Sequence, residues 1–260
     1  MKYLLLLLLL CSFIAVEAQQ SSRFRIGVEY GITPLIGKIN DCWDFREAGG
    51  SYYSQYDNYY ENTNVIGDGE IHYMGLKTEF SLPNKRFAIT SGLRYNRINE
   101  RIRPLGNSSA RLYLFHPSDQ GIDLFRIYGV DESLGYLSVP LELEVVLWGH
   151  RSRWQGYVKG GVQAGVKIHG NTKLDFVSKE MEKHKDEILA DIGASPSDFS
   201  SNAYASFGIR FVIHNKMNLS VENTFPFFLT QNNFSLLTPT PILTGFQFKI
   251  AYPINFFTPK

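Results

Sequence analysis

Eight segments of this chain alternate between apolar and polar residues with a period of two. This period is typical of β-strands whose two faces meet different surroundings. The alternation is clearest where Leu137, Val139 and Leu141 are interleaved with Ser138 and Pro140. The eight segments lie at 23–32, 74–80, 87–96, 137–147, 157–168, 203–211, 217–225 and 246–252.

The lengths of the segments and of their connections favour a membrane barrel over a soluble β-sandwich. A tilted strand needs about 10 residues to cross a bilayer, whereas soluble strands average about 5–6 residues. Short connections at 82–86, 149–153 and 214–216 alternate with long ones at 34–70, 98–134, 169–201 and 227–242. The pattern predicts an all-β fold, an eight-stranded antiparallel up-and-down transmembrane β-barrel. Both termini and the short turns are expected to be periplasmic, and the long loops extracellular.

Hydropathy and aromatic residues agree with this prediction. After residue 18 no apolar run is long enough to cross a bilayer as a helix, so a membrane crossing requires strands. Aromatic side chains are typical of the membrane interface, and we interpret those at the periplasmic strand ends as a girdle. The predicted girdle comprises Phe24, Phe80, Phe87, Trp148, Trp154, Phe211 and Tyr252.

The N-terminus resembles a secretory signal peptide. Lys2 precedes the apolar stretch Leu4–Leu10, and Ala18 ends a Val-Glu-Ala sequence that suits signal peptidase. We therefore predict a signal peptide at 1–18 and an outer-membrane barrel domain at 19–260. A lipoprotein, the alternative, would need a small residue before Cys11, where leucines stand. The net charge of +1 gives no indication of a nucleic-acid partner.

Charged side chains recur on the polar faces of the strands. Eight strands enclose a space that side chains nearly fill, so these groups are expected to point into the lumen. Their signs nearly balance, as buried charges require. We interpret them as a structural network that fixes the barrel's shape; a narrow gated polar path is the alternative. The predicted network comprises Arg25, Glu29, Lys77, Glu79, Arg94, Glu142, Glu144, Lys159, Arg210, Glu222 and Lys249, with Lys167 facing the same space.

Pro140 stands inside the fourth alternating segment, where proline removes a ladder hydrogen bond. We predict a bulge or a missing bond there. The surrounding sequence at 136–143, Tyr-Leu-Ser-Val-Pro-Leu-Glu-Leu, resembles the Tyr-Leu-x-x-Pro-Leu strand of PorT-like outer-membrane β-barrel proteins. The first strand, the glycine-marked fifth strand and the final strand at 245–256 are similar in layout, so the resemblance covers essentially the whole mature chain.

This resemblance implies an eight-stranded barrel of the Gram-negative envelope. Some members of the family belong to the type IX protein-secretion machinery, and the family carries no catalytic residues. Glu142 and Glu144, inside the fourth strand, depart from the family pattern.

Two long loops carry candidate partner-binding residues, because binding residues are concentrated on loops held by a rigid scaffold. The first loop is rich in tyrosine, which favours protein interfaces; packing of the rings over the barrel mouth is the alternative. The third loop is predicted to hold a helix over 173–192, ended by Gly193. Its apolar stripe would cover the barrel opening or dock a partner. The candidates are Tyr52, Tyr53, Tyr56, Tyr59, Tyr60, Val177, Met181 and Ile188.

Enzymatic activity is the weaker hypothesis. His116 and Ser118, with Asp119 or Asp123 as the orienting acid, provide the residue types of a lipid hydrolase. His72 has no serine partner near it in the sequence. We expect a non-enzymatic barrel without a metal or cofactor, whose partners are membrane lipid and another envelope protein. A surface adhesion or ligand-binding barrel is the alternative.

Overall fold

The computed structural model describes residues 23–40, 43, 45–47, 65–84, 86–104, 112–118, 121–149, 151–192, 196–213, 217–229, 236–239 and 244–254. The predicted signal peptide and the tyrosine-rich segment 48–64 lie outside these ranges. The elements, in chain order, are β1 (Phe24–Ile39), β2 (Phe45–Glu47), β3 (Val65–Ser81), β4 (Phe87–Pro104), β5 (Leu112–Ser118), β6 (Gly121–Trp148), β7 (Trp154–Phe176), a 3-10 helix (Lys179–His184), α1 (Lys185–Ile192), β8 (Phe199–Ile213), β9 (Met217–Phe228), β10 (Leu237–Pro239) and β11 (Gly245–Pro253).

Eight of these strands pair antiparallel with their neighbours in a closed ring. The order around the ring is β1, β3, β4, β6, β7, β8, β9 and β11, and β11 pairs with β1 again. The predicted eight-stranded antiparallel barrel is therefore confirmed. The three short strands β2, β5 and β10 add to β5, β6 and β1 at one end of the ring.

A continuous apolar band surrounds the outside of the barrel. On β6 it runs from Leu137 to Leu147, about 11 residues, which is the length of a tilted strand that crosses a bilayer. Val139 and Leu141 are each 56% exposed, and similar side chains project from all the ring strands. A soluble protein rarely exposes an apolar surface of this extent, so the band marks the bilayer. Among the described residues, no helix combines the length and the apolar character needed to span a membrane.

Beyond one edge of this band the two faces of β3, β4, β6 and β7 exchange their polarity. On β4, Ile98 and Ile102 point inward and are buried, while Arg97 and Arg101 point outward and are exposed. Alternation therefore continues with its sign reversed, as in a strand that stands in water and covers an apolar core. We name the part of the barrel beyond the band the platform, and the opposite end, with the short connections, the turn end.

The predicted loop boundaries were wrong because this reversed alternation was interpreted as loop. β1 and β3 extend into the predicted loop 34–70, and β4 and β6 extend into 98–134. β7 continues to Phe176, so the predicted helix at 173–192 begins later, as a 3-10 turn at Lys179, and becomes α-helical only from Lys185. Those residues of the predicted loops that the structure describes therefore lie largely in strands.

The platform encloses its own hydrophobic core. Five of the eight ring strands (β1, β3, β4, β6 and β7), the short strands β5 and β10, and α1 contribute side chains to it, as in a small soluble domain. The core comprises Leu35, Trp43, Ile71, Ile98, Ile102, Leu112, Leu114, Ile127, Val130, Leu134, Tyr136, Leu174, Ile188, Leu236 and Leu237. It lies on the side of the barrel formed by β1, β3, β4, β6 and β7.

The ladder between β4 and β6 is interrupted at Pro140, as predicted. Pairing runs from Phe87 opposite Val145 to Ser91 opposite Leu141, and resumes only at Arg94 opposite Ser138. The Ser91 hydroxyl donates a hydrogen bond of 2.9 Å to the carbonyl oxygen of Pro140. A side chain thus replaces part of the lost backbone pairing.

Candidate functional site

The membrane-spanning part of the lumen contains a balanced set of buried charges. Among the described residues, five carboxylates and five cations there are each at most 4% exposed: Glu29, Glu79, Glu142, Glu144, Glu222, Lys77, Arg94, Lys159, Arg210 and Lys249. Arg25 joins them from the turn end, where its side chain is partly exposed. All eleven residues of the predicted network therefore lie in one connected space, whereas Lys167 contacts Pro196 and Asp198 beside the entry to β8.

Glu142 is the centre of the larger of two clusters. Its carboxylate forms ion pairs with Lys77, with Arg94 at 3.1 Å and with Lys159 at 3.5 Å. The Tyr204 hydroxyl donates a further hydrogen bond of 2.5 Å to it. Glu29 bridges Lys77 and Arg94 from β1, at 2.7 Å to each.

A second cluster lies nearer the turn end. Arg210 donates two hydrogen bonds from one nitrogen to Glu144, at 2.6 and 2.5 Å. Lys249 contacts Glu79 at 2.8 Å, and Arg25 contacts the other oxygen of Glu79 at 2.9 Å. The guanidinium of Arg210 lies 4.7 Å from the centre of the Tyr157 ring.

These ion pairs fill the lumen and connect the strands across it. Each charge has a partner of opposite sign on another strand, because an unpaired charge in so dry a space would cost several kcal/mol. Such contacts tie non-adjacent strands together and occupy the cross-section of a narrow barrel. The geometry thus supports a structural role for the network.

A small cavity lies between this filling and the platform core. Its volume is about 40 Å³, enough for roughly three water-sized groups. Its walls carry Arg94, Tyr73 and Gln163 on one side and Ile71 and Ile98 on the other. The cavity marks the level at which the lumen changes from ionic to apolar.

Two carboxyl groups are buried inside the platform core. Glu100 and Glu132 are each 2% exposed. Glu100 accepts a 3.0 Å hydrogen bond from the backbone N–H of Leu236, and Glu132 accepts one of 2.7 Å from the Thr172 hydroxyl. Burial, and next the charge of Glu132, raise the pKa of Glu100 well above its usual value of 4.5. The sequence reasoning missed this pair because residues 98–134 were assigned to a loop.

The residues at 177–188 that were proposed to bind a partner differ in their burial. Ile188 is buried in the platform core, so its assignment to a docking surface was wrong. Its side chain packs inside the platform, and Leu189 and Ile192 pack against the same core. Val177 and Met181 remain half-buried at the surface. The five loop tyrosines, at 52–60, lie outside the described residues.

The hydrolase candidates do not form a described catalytic set. His116 and Ser118 lie in β5 opposite Asp123 and Gly121 on β6, but their side chains and Asp119 are outside the described part of the chain. His72 lies on the outer wall, where its ring nitrogens contact Glu70 at 2.9 Å and the Tyr30 hydroxyl at 2.8 Å.

No protein-family model matches this chain, and no curated protein matches it. Solved structures give weak matches. The attachment invasion locus protein Ail of Yersinia pestis, in complex with a heparin analogue, aligns over 88% of this chain and 96% of its own, with 8% identity and a TM-score of 0.35.

Neisserial surface protein A aligns over 90% of this chain and 98% of its own, with 8% identity and a TM-score of 0.37. Outer membrane protein W of Escherichia coli aligns over 87% of this chain and 97% of its own, with 12% identity and a TM-score of 0.31. Similarities this low support no conclusion about the chain, and the fold assignment rests on the strand pairings above.

Proposed function

We propose that this protein is an integral outer-membrane barrel of a Gram-negative bacterium that presents the platform to another envelope protein. The observation that carries the proposal is the second hydrophobic core beyond the apolar band. A barrel that only crossed the membrane would need no such core. A rigid scaffold outside the bilayer is what a binding surface requires.

The architecture supports this placement. Closed antiparallel barrels with short turns at one end and longer connections at the other are typical of bacterial outer membranes, with the turns in the periplasm. The turn end is therefore proposed to be periplasmic and the platform extracellular. The predicted signal peptide at 1–18 is consistent with export.

The filled lumen favours an accessory protein over a channel or an enzyme. Among the described residues, buried ion pairs fill the membrane-spanning part of the lumen, and the platform core lies beyond them. The PorT-like strand at 136–143 makes a protein-secretion assembly the first class of partner to test. Adhesion to an external ligand through the tyrosine-rich loop is the second candidate.

Site-specific photo-crosslinking in native membranes tests the proposal. A photoreactive amino acid is placed at the exposed platform positions Glu180, Lys183 and Glu187, with Ser152 at the turn end and lipid-facing Leu141 as controls. We expect one envelope protein to be captured from the platform positions and not from the controls.

Other outcomes discriminate between the candidates. Capture from Ser152 alone would place the partner in the periplasm and contradict the platform role. The adhesion candidate would be favoured if no position captured a protein and the purified barrel bound external glycans or matrix proteins.

A further inference from the structure

The outer wall changes from apolar to polar at a sharply defined row of residues. The last row of the band contains Met74, Tyr95 and Leu137 on three paired strands. The next row contains His72 opposite Arg97, Arg97 opposite Gly135, and Gly135 opposite His169. This second row therefore lies at the level of the lipid headgroups.

Gly135, which is itself buried, makes a notch in this row that the His169 ring fills. The His169 ring occupies the space where a side chain of residue 135 would begin, and the Tyr95 hydroxyl lies 3.0 Å from the same point. The two rings are stacked with their centres 6.2 Å apart. Arg97, the neighbour of Gly135 on β4, is exposed at the other side of the notch.

Arg97 differs from the basic residues in the rows above it on β4 and β7. Arg101, Arg103 and Lys173 form ion pairs with Asp131 or Asp175 in the rows above. Arg97 has no carboxylate partner among the described residues, and its Nε atom donates only to the neutral oxygens of Asn99 and Ser133, at 3.0 and 3.2 Å. Its positive charge is therefore not neutralised within the described wall.

Among the described residues of this row and the next on β3, β4, β6 and β7, the carboxylate is Glu70, and it is engaged elsewhere. It contacts His72, whose other ring nitrogen contacts Tyr30. The remaining neighbours in the next row, Asn99, Ser133 and Asn171, are neutral hydrogen-bonding groups. An uncompensated guanidinium with imidazole, phenol and amide groups around it suits a phosphate.

We propose that the exposed surface formed by Tyr95, Arg97 and His169 around this notch binds the phosphate of a membrane-lipid headgroup. Arg97 supplies the charge, His169 supplies a hydrogen bond from across Gly135, and Tyr95 supplies one from the same strand as Arg97. The site rests on the position of the row at the band edge and is independent of the partner protein proposed above. In the proposed orientation it faces the outer leaflet.

Native mass spectrometry of the purified barrel in detergent micelles tests this site. The protein is titrated with phosphatidic acid, which carries a phosphomonoester, and with phosphatidylcholine. Arg97→Gln is expected to weaken phosphatidic acid binding about tenfold, because a charge-assisted hydrogen bond is lost. Arg101→Gln, an exposed control already paired with Asp131, is expected to change it less than about twofold.

Gly135→Ala is the second variant, since it retains Arg97 and forces His169 out of the notch. We expect a smaller loss of phosphatidic acid affinity, with the barrel still folded as judged by its heat-modifiable mobility on gels. Equal losses for Arg97→Gln and Arg101→Gln would overturn the site in favour of diffuse attraction. Equal affinity for the two lipids, or displacement by an equal concentration of inorganic phosphate, would overturn the lipid-headgroup assignment.

Discussion

Single side chains decide how firmly the lumen is filled, and Glu142 is the carboxylate at the centre of the larger cluster. Three cations and a tyrosine hydroxyl converge on its carboxylate. The sequence predicted that Glu142 faces the lumen, because the period of two assigns every second side chain to that face. It could not predict the partners, which come from strands far away in the chain.

Replacing Glu142 with glutamine should destabilise the barrel strongly. Five buried cations would then face four carboxylates, and breaking a buried ion pair costs about 3–5 kcal/mol. We expect the variant to unfold in lipid at a lower guanidinium chloride concentration than the wild type, as measured by tryptophan fluorescence. Glu180→Gln, an exposed change of the same type, is the control, and coincident midpoints for the two variants would contradict the structural role of the network.

Glu100 should make the platform less stable as the pH rises. Its pKa is raised in the folded protein, so below about 4.5 both states are protonated and the full stability is present. Above that value the unfolded chain ionises first, and the folded platform loses stability until the pH passes the folded pKa.

Glu100→Gln removes this penalty. We expect slower amide hydrogen exchange in the platform than in the wild type at pH 7.5, and a difference that shrinks towards pH 4.5. The same comparison with Glu182→Gln, which is exposed, gives the background. A gain in protection that is the same at both pH values would exclude ionisation of Glu100 as its cause.

At the scale of elements, α1 packs on the platform through one face. The apolar stripe that suggested a docking surface is buried inside the molecule. Ile188 lies in the platform core, and Leu189 and Ile192 pack against it. Sequence periodicity identifies an apolar face of a helix but does not state what covers it. The strands of the platform core, against which the helix packs, were predicted to be loops, so the sequence alone left the docking hypothesis open.

Ile188→Ala should loosen this helix without opening the barrel. Truncation of a buried isoleucine costs about 2–5 kcal/mol, which exceeds the stability of an isolated eight-residue helix. We expect faster proteolysis within 179–192 and an unchanged heat-modifiable mobility. Glu187→Ala, its exposed neighbour, is the matched control. If both variants are cleaved at the wild-type rate, the helix is not held by this contact.

For the whole molecule, the number of ring strands and their inward faces followed from the sequence, whereas the height of the barrel did not. A strand that leaves the bilayer keeps its period but exchanges its two faces, so Ile98 and Ile102 take the inward positions that Arg94 holds lower down. The pattern of apolar residues on the outer face, from which the strands were predicted, ends where the faces exchange. The platform core and the carboxyl pair lay beyond it and were missed for that reason.

The exchange of faces also fixes the depth at which the molecule sits. Sinking by one row would carry Arg97 and His72 into hydrocarbon, where charged side chains are disfavoured increasingly with depth. Rising by one row would move the turn-end aromatic side chains out of the interface they prefer. Both displacements are opposed, so an external pull on the platform is transmitted to the whole barrel and resisted by the bilayer itself.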